Sequence, residues 1–517
     1  MMGISRYSSA PCTRNRLFRL RLPSPLLLLL FANLFTQSSL YPQTDTNCAI
    51  TWTSVEQLSF DSTFSVGAQA IAQGDTFYVM WINEPFWLDD VGGLFFRRSV
   101  DSGKTFSPAI LLHSADSLYG VYGMMAASGP NVYLTYLDRL DTFPWGEMAI
   151  DRSTDGGTSW SRSPQVGFDY VPRAMTASDS SVYIRFDYDD TSGGRRKSYS
   201  GCLVSHDYGV TYQIAALNLP LSSTDGSSPY HKLSSFENQL HSIYARGLPL
   251  GVFGFYEIIY SRSENQGLSW SIPDTISVID SMHSVWPGIT NDEKGNLYVV
   301  WYDHKYGSVD GYSGSVILRK SMDGGLSWGP EEVLTSMPTA IGPKIVARDS
   351  VIVIAWDNLV GSDRYQPVLR YSDDAGMTWS NMITVDAFGG DVDLALGNRT
   401  VFLSWFLGLD VFYRTGILSA SCFPRSIPTG FVLLQNYPNP VNAGTVIRYG
   451  IQPGKYRVTL TIYNVLGQVV RTLLDDVEQE GGYYQTGWDA IGVSSGVYFY
   501  RLSAGSYSTA NKMVVLK

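Results

Sequence analysis

The sequence predicts an all-β protein: a ring of β-propeller blades followed by a small β-sandwich. Three observations predict it. A short turn motif recurs six times at near-constant spacing, strands of alternating β-branched and aromatic residues recur between the copies, and the chain changes character after residue 430. The composition agrees: 13% aromatic residues, only 16% charged ones and 49 glycines suit many short strands joined by tight turns rather than helices. At 517 residues the chain exceeds one ordinary compact domain, unless that domain is a repeat.

Residues 1–42 read as a signal peptide. Arg14, Arg16, Arg19 and Arg21 form a positive region, Leu26 to Phe35 an apolar one, and small polar residues follow. The apolar run is short for a membrane span, and no second long one follows, so no membrane-spanning segment is expected in the mature chain. The segment carries five arginines and no acidic residue, so its removal takes the formal charge from −10 to −15 (−10 minus 5). An acidic surface argues against nucleic acid or anionic lipid as partner and is compatible with an extracellular glycan, a protein or a cation.

The repeat occupies residues 48–422. Its turn reads Ser-x-Asp-x-Gly-x-Ser/Thr-aromatic and starts at Ser99, Ser153, Ser205, Ser263, Ser321 and Ser372, with spacings of 54, 52, 58, 58 and 51 residues. Asp101, Asp155, Asp207, Asn265, Asp323 and Asp374 are its structural acceptors, able to take hydrogen bonds from backbone N–H groups across the loop. The glycine supplies a positive φ, and the closing ring packs on the base of the turn. Between copies, segments such as 76–83, 131–138, 296–303 and 350–357 alternate in the manner of strands. Four strands per unit make a propeller blade.

Six turns alone would allow six blades. After the sixth turn, however, three more strand-like runs lie within 390–416, and residues 50–60 look like the strand that follows the second turn. The N-terminal segment is therefore expected to complete a seventh blade, leaving no open edge. Cys48 and Cys422 flank the repeat region, and a disulfide between them would staple that closure. Cys202, in a strand-like run, reads as a small buried hydrophobe.

These turns resemble the Asp boxes (BNR repeats) of sialidase-like propellers, over roughly residues 50–420. The resemblance implies that each box joins the third and fourth strands of its blade, on the face away from any active site. The boxes then mark the scaffold and not the chemistry.

A Pro-containing linker, 423–430, precedes the last region, 431–517, where alternating strands with Gly turns suit a small Ig-like sandwich. Asn436-Tyr437-Pro438-Asn439-Pro440, Tyr463-Asn464, Leu466-Gly467-Gln468, Gly496-Val497-Tyr498 and Lys512-Met513 closely resemble the C-terminal sorting domain of type IX (Por) secretion cargo. That resemblance implies the type IX machinery as a partner of 431–517, and release or cell-surface attachment as the outcome.

Binding residues are expected on the face opposite the boxes, where second strands end and loops follow. The candidates are Trp87, Asp138, Trp145, Arg173, Asp187, Asp303 and Asp357. Trp and Tyr beside carboxylates suit stacking on sugar rings and bonding to hydroxyls. Each Asp reads equally well as the cap of its own turn. Gln69, Lys232, Lys344 and Asp393 share one register in the first strands, either lining the channel or paired inside the stack.

The sialidase resemblance would imply three arginines, an acid/base Asp and a Tyr–Glu nucleophile pair, but no Phe/Tyr-Arg-Ile-Pro motif occurs in the propeller. Arg139, Arg173 and Arg246 suit such a set by position only. Tyr256 and Glu257, as strand neighbours, should point to opposite faces. No catalytic residue is assigned. No Cys/His spacing reads as zinc, no acidic loop carries ordered calcium spacing, and no cofactor is implied. The expected function is a non-catalytic exported module that binds glycan or protein; the second reading is a sialidase-like exo-glycoside hydrolase with divergent residues.

Overall fold

The computed structural model of the chain describes residues 48–516, apart from 61–63, 85–91, 116–122, 139–146, 164–169, 191–196, 221–230, 249–254, 308–312, 336, 362–363, 420–421, 423–429, 437–438, 442–443 and 491. The signal region, Trp87, Trp145 and Arg139 lie outside the described residues, as does most of the linker.

Six four-stranded antiparallel sheets follow one another along the chain, covering 64–115, 124–162, 171–220, 232–275, 284–333 and 340–384. A seventh sheet takes its first three strands from Gly390–Leu396, Thr400–Leu407 and Asp410–Leu418. Its outer strand is Ile50–Trp52, which pairs Ile50 with Leu418 and Trp52 with Gly416. Glu56–Gln57 continues along the same neighbour, opposite Tyr413 and Phe412. The first strand of each blade touches that of the next, and the seventh touches the first. The ring is therefore closed, with seven blades, and a disulfide joins Cys48 to Cys422 across 374 residues of sequence.

Burial explains why the blades stack. Second strands are covered on both faces by neighbouring blades, so they carry long apolar runs: Leu297 to Trp301 in blade 5 and Val351 to Trp356 in blade 6 are all fully buried. Trp81, Trp301, Trp356 and Trp405 occupy the same place in blades 1, 5, 6 and 7 and are the largest wholly buried side chains. Adjacent blades share apolar clusters. The seam between blades 7 and 1 joins Phe402, Val411 and Tyr413 to Phe77, Val79, Trp81 and Leu58.

Each turn motif links the third strand to the fourth. In blade 1, Ser99 donates to Asp101 Oδ1 at 2.7 Å, Gly103 N donates to Ser99 Oγ at 2.9 Å, and Thr105 gives its N–H and hydroxyl to the two Asp101 oxygens at 3.0 and 2.6 Å. Burial would raise this carboxyl, but the bonds from Thr105 and Ser99 outweigh it and hold it down to about 2.

The C-terminal region forms a separate five-stranded sheet with its own core. Its two longest strands, Gly444–Asn464 and Val469–Asp489, pair along most of their length, with register shifts between Ile451 and Lys455 and again near Leu460. Ile447, Tyr449 and Ile451 before the first shift share one buried cluster with Val458, Leu460 and Ile462 after it. The sandwich is thus one folded-over sheet, joined by strands common to both layers.

Candidate binding face

Strand direction sorts the molecule into two faces. Third strands end at the Asp boxes, while second strands end, and first strands begin, on the opposite face, because each first strand pairs antiparallel with the second.

The predicted acidic residues sit at second-strand ends on that opposite face, and Asp187, Asp303 and Asp357 are tied into the scaffold. Arg173 Nε donates to Asp187 Oδ2 at 2.7 Å, and burial pushes the Asp187 carboxyl up despite Arg173 and Arg185 nearby. Asp303 accepts from Ser284 Oγ at 2.8 Å and Trp301 Nε1 at 3.0 Å, and caps the short turn His304–Tyr306 by accepting from Lys305 N at 2.7 Å. Asp357 accepts from Asp391 N at 2.7 Å and Val392 N at 3.3 Å, both in blade 7; burial, then the Asp391 charge, push it up to about 7. Asp138 closes the strand Asn131–Asp138 opposite Glu147.

Tyr256 and Glu257 do point apart: Tyr256 is 37% exposed and Glu257 is fully buried. Glu257 accepts from Ser277 Oγ at 2.6 Å and Ser284 Oγ at 3.4 Å, and burial pushes its carboxyl up to about 7. Arg185 donates to Ser200 at 2.9 Å and lies over the Trp270 ring. These guanidinium and carboxyl groups are engaged within or between blades.

Sequence reasoning missed two features of this face. The first is an aromatic and imidazole ledge where blades 4 and 5 meet. His283 stacks near Phe255, Tyr256 and His304, with centroids 5.4, 5.7 and 5.7 Å away, and Tyr302 bridges His304 to Trp286 at 5.7 and 6.0 Å. Tyr306 is exposed beside them, with Lys305 over its ring. The second is a bulge near the start of the first strands, whose left-handed residue is Gly67, Trp286, Gly342 or Asp391. Each stands two residues before a shared register position. The two glycines were the available signal; a tryptophan at φ 54° was not one.

The register proposed from sequence is real in the pairing: Gln69, Lys232, Lys344 and Asp393 face Met80, Ile243, Ala355 and Ser404 in their own blades. Three of them also tie neighbouring blades together. Gln69 exchanges bonds with Gly123 O and Met125 N, both at 3.1 Å, while Asp393 accepts from Ala70 N at 2.7 Å and lies 3.8 Å from Lys344 Nζ. Lys232 is exposed. Among the described residues no group of three or more His, Cys, Asp or Glu is placed to hold a metal ion, and no helix is long and apolar enough to cross a membrane.

Residues 435–516 match the family described as the secretion system C-terminal sorting domain. No curated protein matches the chain. Similar solved structures include a Dyadobacter fermentans protein of unknown function, at 12% identity over 71% of this chain and 99% of that one, TM-score 0.42. An ulvan lyase of polysaccharide lyase family 25 aligns at 10% identity over 69% and 95%, TM-score 0.46. The phage phi92 endosialidase aligns at 11% over 70% and 68%, TM-score 0.42. Likeness at this level carries no statement about chemistry. The chain is a seven-bladed propeller on Asp-box turns, with a type IX sorting domain that directs it to the cell surface or the medium.

Proposed function

We propose that the exported propeller is a non-catalytic binding module that recognises a glycan on the face opposite the Asp boxes. The ledge of Tyr256, His283, Tyr302, His304 and Tyr306 carries the reading, because exposed rings backed by other rings offer flat, fixed surfaces to the apolar faces of sugars. The non-catalytic part rests on the engagement of Arg173 with Asp187 and on the burial of Glu257 away from Tyr256. A glycan array with the mature chain should give hits that weaken by about tenfold in Tyr256→Ala or Tyr306→Ala. Turnover of fluorogenic sialosides that falls in an Arg173 variant would replace this reading with the hydrolase, and silence on every glycan would leave a protein as the partner.

A further inference from the structure

Lys232 is the first residue of the first strand of blade 4, Lys232–Phe236, and its side chain is exposed inside the ring of first strands. It forms no hydrogen bond or ion pair with any described residue, whereas Lys344, at the same register in blade 6, has Asp393 at 3.8 Å. Gly288 holds that register in blade 5, between the two lysines, and contributes no side chain. The ammonium reaches solvent yet is walled by protein. Desolvation first, and then the like charge of Lys344, bring it down to about 8, against the partial opposition of Asp393 and Asp391. A cation that reaches solvent and has no hydrogen bond or ion pair among the described residues is open to an anion from outside.

Trp286, which stacks on Tyr302, stands in blade 5 two residues before the Lys232 register. Lys232, at the start of a first strand, lies on the same face as the ledge and in one of the two blades that form it.

We propose that Lys232 receives an anionic substituent of the ligand, so that the propeller selects acidic glycans, those bearing carboxylate or sulfate, over neutral ones. This inference rests on the glycan-binding reading above. The groups facing Lys232 are Lys344 from blade 6 and Asp391 and Asp393 from blade 7. Burial pushes the Asp393 carboxyl up, with Lys344 opposing, and the titration that the test follows is that of Lys232 itself.

The test is calorimetric binding of the mature chain to three oligosaccharides of equal length: one containing uronate, its carboxyl-reduced neutral counterpart, and a sulfated neutral one. At pH 6.5 the uronate form should bind at least about tenfold more tightly than the reduced form. The sulfated arm shows which anionic substituent is preferred. The preference should vanish in Lys232→Gln, persist in Lys232→Arg, and decline for the wild type as pH rises through about 8. Equal affinity for uronate and neutral forms, with the sulfated form no better, overturns the proposal, as does a preference that survives Lys232→Gln. If Lys232→Gln fails to fold, the wild-type pH profile decides: a preference constant from pH 6.5 to 9.5 overturns it. Binding to no glycan at all would instead defeat the glycan reading, and the inference with it.

Discussion

Asn265 shows what the box asks of a residue. It accepts from Ser263 Oγ at 3.0 Å and Ser269 N at 2.9 Å, as an Asp would, but its amide donates to Ser269 Oγ at 2.9 Å where an aspartate accepts that hydroxyl. The box therefore needs a forked side chain with at least one acceptor, and charge is secondary. Glu257 shows the reverse case, a carboxyl whose charge works against the fold. Its folded value of about 7 lies above the ordinary 4.5, so the native state binds the extra proton. Stability is then retained below about pH 4.5 and lost as pH rises to 7, where ionisation must occur in a buried site. Glu257→Gln should melt like the wild type at pH 4.5 and higher than it at pH 8, with a difference of about 3 kcal/mol. Equal melting points at both pH values would show that Glu257 is not held protonated.

At the scale of the element, the Asp-box glycine answers to two constraints. Gly325 has φ 82°, and a Cβ there would lie 1.8 Å from the Tyr260 hydroxyl of the preceding blade. Gly408 has φ 72° with nothing within 4 Å of the same virtual atom. Gly408→Ala should cost only the backbone strain, about 1 kcal/mol, and Gly325→Ala about 2–4 kcal/mol once the crowding of Tyr260 is added. Equal losses in denaturant melts would mean that Tyr260 moves aside freely. These turns were legible in the sequence because each is local: acceptor, glycine and ring lie within eight residues of one another. The register of Gln69, Lys232, Lys344 and Asp393 was legible too, since strand alternation repeats with the blade. The ledge was not. His283 and His304 meet through the pairing of the first two strands of blade 5, Tyr256 joins them from blade 4, and no period in the sequence links the three. The acidic candidates were ambiguous in sequence for a related reason. Asp303 accepts from Lys305 N just beyond its own strand and Asp357 from Asp391 N of the next blade, scaffold roles that look the same as a binding site when read along one chain.

At the scale of the whole molecule, stability turns on one seam. Six blades draw all their strands from consecutive sequence, but the seventh borrows its outer strand from the other end of the chain, and that strand pairs in two short pieces, Ile50 to Trp52 and Glu56 to Gln57. Leu58 and Trp52 add packing, with Leu58 fully buried against blades 1 and 7 and Trp52 partly buried against the core shared by blades 6 and 7. So short and interrupted a pairing is prone to fray, and fraying there exposes the cluster that joins blade 7 to blade 1. The Cys48–Cys422 bond ties the two ends of this seam beside its outermost pair, and export through an oxidising compartment allows it to form. Because the link spans 374 residues, it restricts the unfolded chain strongly, and its loss should cost roughly 2–5 kcal/mol. Replacing both cysteines by serine should therefore lower the melting temperature and speed amide exchange first in 50–58 and 410–418, with blades 2 to 5 little changed. Uniform acceleration across all blades would show instead that the ring opens as one cooperative unit, and no acceleration would show that strand pairing and Leu58 close it unaided.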